Sequence, residues 1–63
     1  MMAQEFTTHW TERGREFREG SESEEQALAI HHALVAQPDV TAVRTVNVET
    51  GYILCRYVKR KRK

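Results

Sequence analysis

Only one stretch of the chain, residues 22 to 37, repeats its apolar side chains at helical spacing, and segments of strand character flank it on both sides. One helix between two ribbons leaves few folds open. A lone hairpin is marginal in water, so each ribbon needs the other and the helix to bury its apolar side.

In the helical stretch, Ala27, Ile30 and Leu34, with Leu28 and Val35 beside them, form the apolar stripe. Ser21 or Ser23 can cap it, and each has a Glu24 or Gln26 three residues on, which is capping-box spacing. Glu22, Glu24 and Glu25 fall where the helix dipole favours negative charge. They read as a helix start rather than as cation ligands. Pro38 ends the segment, because it lacks a backbone donor.

The first ribbon spans residues 4 to 19. Phe6, Thr8 and Trp10 alternate with Glu5, Thr7 and His9, and Gly14 supplies the positive φ of a tight turn at Arg13-Gly14. That turn sets Trp10 opposite Phe17. The second ribbon spans residues 40 to 59, two β-rich runs joined at Thr50-Gly51. A two-residue turn there pairs Val48 with Ile53, Val46 with Cys55 and Arg44 with Tyr57 on the core face. Val43, Leu54 and Val58 then lie on the opposite face.

The expected fold is α+β, a ββαββ chain with a four-stranded antiparallel sheet in the order 2-1-3-4, a right-handed crossover, and the helix on one face. Phe6, Trp10, Phe17, Val46, Val48 and Ile53 are its expected core. Residues 1–59 form one domain and 60–63 a basic tail. Sixty-three residues bury only about 60% of the surface that the unfolded chain exposes, too little for a core and a deep walled site together. No stretch is long or apolar enough to span a bilayer. The segment MMAQEFTTHW has neither a basic start nor an apolar block, which predicts a cytoplasmic rather than a secreted protein. The single cysteine, Cys55, fits that compartment.

The net charge of +1 hides a division. Residues 1–37 carry seven acids and three bases; residues 38–63 carry seven bases and two acids. Arg56, Lys59, Arg60, Lys61, Arg62 and Lys63 hold most of the excess, with Tyr57 interleaved. Clustered lysine and arginine neutralise phosphates and release counterions, so these six residues are the candidate nucleic-acid contacts, without sequence readout. The alternative is a protein-interaction module, a homodimer or an inhibitor of a partner, using Val43, Leu54 and Val58. In layout, though not in any motif, the chain resembles small accessory proteins of bacteria and their phages.

Other chemistry is poorly supplied. His31 lies within the apolar stripe and reads as a hydrogen-bonded core histidine, or else as one facing a partner. His9, His31, His32 and Cys55 lack the spacing of a metal site. Cys55 and His31 both face the expected core, where a thiol behaves as a small inert hydrophobe. The glycines are accounted for by turns and boundaries, so no phosphate loop is expected, and no cofactor. The expectation is a non-enzymatic binding protein.

Overall fold

The first hairpin follows from its turn. Arg13 (φ 54°) and Gly14 (φ 81°) are both left-handed, the pattern that matches the twist of the flanking strands. β1 (Phe6–Glu12) and β2 (Arg15–Ser21) therefore pair without slippage from Glu12↔Arg15 to Phe6↔Ser21, and Trp10 stacks on Phe17 with ring centroids 5.6 Å apart. The Arg13 side chain reaches Asp39, whose Oδ2 accepts from both Nε (3.0 Å) and Nη2 (2.8 Å).

The computed structural model describes residues 5–59. After β2, the chain turns at Ser23, whose side chain accepts from the Gln26 amide at 3.2 Å, while Gln26 Oε1 reaches back to the Glu22 amide. α1 (Glu24–Val35) follows, then β3 (Val40–Asn47) and β4 (Ile53–Val58). The sheet order is β2-β1-β3-β4 with all neighbours antiparallel, and α1 packs on one face against β3, β1 and β2. This is the ββαββ arrangement expected from the order of the elements. No helix among the described residues is long and apolar enough to cross a membrane.

The core differs from the expected one at Phe17 on β2 and, more widely, in β3 and β4. The loop between them is longer than two residues. Asn47 organises it: its Oδ1 accepts from the Glu49 and Thr50 amides, its carbonyl accepts from the Gly51 amide, and its own amide donates to the Tyr52 carbonyl. A bulge between Thr45 and Val46 then leaves Thr45 opposite Cys55 and Val43 opposite Tyr57. Relative to the expected pairing, the register slips by one residue, and such a slip carries every side chain to the other face. Val43 (1% exposed) and Thr45 (fully buried) thus face α1, whereas Val46 turns away, Val48 is exposed, and Ile53 and Phe17 are each 42% exposed. Trp10 and Val46 consequently lie on opposite faces of the sheet. The topology survives this, because it rests on element order and not on that register.

The core that results is small and unusually polar. Phe6, Ala27, Val40 and Val43 are its buried apolar members, and Thr8, Ser21, His31 and Thr45 are buried with them. Thr8 Oγ1 and Thr45 Oγ1 are 3.0 Å apart across β1 and β3, and His31 Nδ1 reaches the same Thr45 oxygen at 3.2 Å from the helix. His31 is therefore a hydrogen-bonded core histidine. Burial, with a smaller contribution from His32, holds its pKa below the ordinary 6.5.

Candidate nucleic-acid interface

Side chains alternate across a strand, so the register that sends Thr8, Trp10, Val43 and Thr45 toward the helix sends the residues between them to the helix-free face. His9 lies opposite both Arg18 on β2 and Arg44 on β3, and Arg44 lies opposite Arg56 on β4. Four basic side chains, one per strand, form a single row in the order Arg18–His9–Arg44–Arg56. With strands about 4.8 Å apart, the row runs roughly 14 Å across the sheet. The three arginines are exposed and His9 is half-buried. The row sits in a shallow, open concavity bordered by Thr11, Glu16 and Ala42.

The electrostatics of the row are self-repelling. Burial first, then Arg44 and Arg18, lower the pKa of His9, and Glu16 opposes them weakly. Each of the first three disfavours the charged imidazole on this face. None of the three arginines makes a salt bridge among the described residues. Like charges directly opposite on neighbouring strands destabilise a sheet, and Arg44 faces Arg56 in this way.

Of the residues singled out in the sequence, Arg56 stands at the end of this row. Lys59 does not join it: its Nζ donates to the Pro38 carbonyl at 2.9 Å and its amide to the Thr41 carbonyl at 2.8 Å, tying the end of β4 to the loop after the helix and to the start of β3. Arg60, Lys61, Arg62 and Lys63 lie outside the described residues. The apolar patch expected from Val43, Leu54 and Val58 is not assembled. Val43 is in the core for the reason given above, Leu54 is half-buried at the bulge, and Val58, 60% exposed, alone remains on the free face opposite Ala42.

Arg18, His9 and Arg44 were missed in the sequence because they are far apart in the chain and unremarkable singly. Only the antiparallel pairing on both sides of β1 brings them into line. Cys55 faces the helix side and His9 the open side, so they do not meet. No group of three metal-ligating side chains occurs among the described residues. Compared with protein-family models, with curated proteins and with solved structures, the chain matches none.

Proposed function

We propose that this protein is a small non-enzymatic nucleic-acid-binding protein that holds the phosphate backbone on the open face of its sheet. The observation that carries this reading is the row Arg18–His9–Arg44–Arg56. Arg44 directly opposite Arg56, with no salt-bridge partner among the described residues, works against the fold that bears the pair, and an anionic ligand running along the row would remove that repulsion. The basic residues that continue from β4, Arg60 to Lys63, extend the charge in sequence. Among the described residues, His9 is the only ring the strands present on this face, so base stacking of the kind used by sheet-based RNA readers is not provided. Contact is with phosphates and is insensitive to sequence.

The salt dependence of binding tests this. Each phosphate contact contributes a slope of about 0.7–0.9 in log K against log salt. Arg44→Ala, in the middle of the row, is expected to weaken retention of a DNA or RNA oligonucleotide and to reduce the slope by about that amount. Removing residues 60 to 63 should lower it further. The reading fails if the intact protein retains no nucleic acid at low salt, or if Arg44→Glu binds as well as the parent while keeping its circular dichroism spectrum.

A further inference from the structure

We propose that the free edge of β2 is a self-complementary docking strand, and that its partner is a second copy of this chain paired antiparallel about Phe17. The proposal rests on the edge itself and not on the nucleic-acid reading, although Arg18 belongs to both surfaces. Residues Arg15, Glu16, Phe17, Arg18 and Glu19 are all exposed, and among the described residues β2 has a neighbour only on its β1 side.

The backbone decides which residues can pair. In the two-residue turn, Glu12 and Arg15 close the hairpin as a hydrogen-bonded pair. Such pairs alternate along an antiparallel ladder, and the β1–β2 register has no shift. Arg15, Phe17 and Glu19 therefore direct their amides and carbonyls to β1, whereas Glu16 and Arg18 direct theirs outward. A second strand must meet these outward groups with its own outward groups.

Five symmetric registers centred in this segment satisfy that rule. Four set Arg15, Glu16, Arg18 or Glu19 against the same residue of the second copy, which places like charges at the two-fold axis. The fifth sets Phe17 against Phe17. In it, Glu16 faces the second copy's Arg18 and Arg15 faces the second copy's Glu19, each twice by symmetry. Every charge on the segment then meets its opposite. Phe17 occupies a non-hydrogen-bonded position, where facing side chains approach most closely. Its 42% exposure is covered there, joining the two Trp10–Phe17 stacks. Charged edge strands ordinarily repel other strands; this one repels strands in general but fits its own copy. The dimer is one continuous eight-stranded sheet with both helices on the same face.

The test uses Arg15 and Glu19, which lie on the helix side of the sheet, away from the basic row. Sedimentation equilibrium of the full chain is run at low salt from about 10 μM to about 1 mM, the range suited to so small an interface. The parent is expected to dimerise across that range. Arg15→Glu and Glu19→Arg each set like charges opposite one another twice, and each should raise the dissociation constant by about tenfold or more. An equimolar mixture of the two should dimerise again, since each variant then offers the charge the other lacks. The double variant carrying both changes should dimerise with itself. A parent that stays monomeric at every concentration overturns the proposal. So do single variants that dimerise as the parent does, or folded single variants whose mixture remains monomeric.

Discussion

Thr45 is the residue on which the interior is most exposed to perturbation. Its hydroxyl is the shared partner of Thr8 on the neighbouring strand and His31 on the helix, and all three side chains are buried. Thr45→Val keeps the shape and deletes only that oxygen. Two buried polar atoms then lose their partner, at about 1–3 kcal/mol each, partly offset by the better burial of a methyl group. The expected net loss is about 2–4 kcal/mol, against a total stability of about 3–9 kcal/mol for a chain of this length. For so small a domain that lowers Tm by about 10 °C or more. The triple variant Thr8→Val, Thr45→Val, His31→Leu removes all three polar groups together and leaves none orphaned. It is expected to return to within about 1 kcal/mol of the parent, because replacing every partner is nearly neutral whereas removing one is not. Urea unfolding followed by circular dichroism measures both. The reasoning is refuted if Thr45→Val loses less than about 0.5 kcal/mol, or if the triple variant is no more stable than the single one.

Two further outcomes follow from the charges. Arg56→Glu replaces a repulsive pair with an attractive one opposite Arg44. It should stabilise the fold by about 0.5–1 kcal/mol while weakening nucleic-acid binding; a loss of stability in thermal melts, or unchanged binding, contradicts the account of the row. Stability should also fall as pH drops below about 6.5, the ordinary value for histidine. The unfolded chain then takes up protons at His31 and His9 that the folded chain, with both pKa values lowered, does not. The loss begins near 6.5 and is complete once pH is below the depressed folded values. Urea midpoints measured between pH 8 and pH 5 should decline in that direction, and a flat profile would contradict it.

The sequence is legible where local chemistry determines geometry. A left-handed Arg13-Gly14 turn admits one register, and so Trp10 meets Phe17. Ser23 and Gln26 fix where the helix begins, and the order of elements dictates the order of strands. The second ribbon is not legible in the same way. β3 carries β-branched residues on both faces, so alternation does not distinguish Val43 and Thr45 from Val46 and Val48. The register there is decided by Asn47, whose side chain folds the following loop back on itself, and by a bulge that no single residue announces. Asn47 was the available signal, since asparagine commonly bonds to backbone amides two or three residues on. The basic row was hidden for a related reason: its members come from four strands, and only a correct register on each side of β1, and between β3 and β4, lines them up.

The mixed interior has a thermal consequence. Exposing apolar surface on unfolding raises heat capacity, and exposing polar surface lowers it. When threonine, serine and histidine occupy half of the buried positions, the two contributions partly cancel. The free energy of folding then changes with temperature along a shallower arc than in a domain packed with leucine and phenylalanine. Such a protein remains folded by a modest margin over a wide span of temperatures, including the cold side, where the hydrophobic contribution fades first.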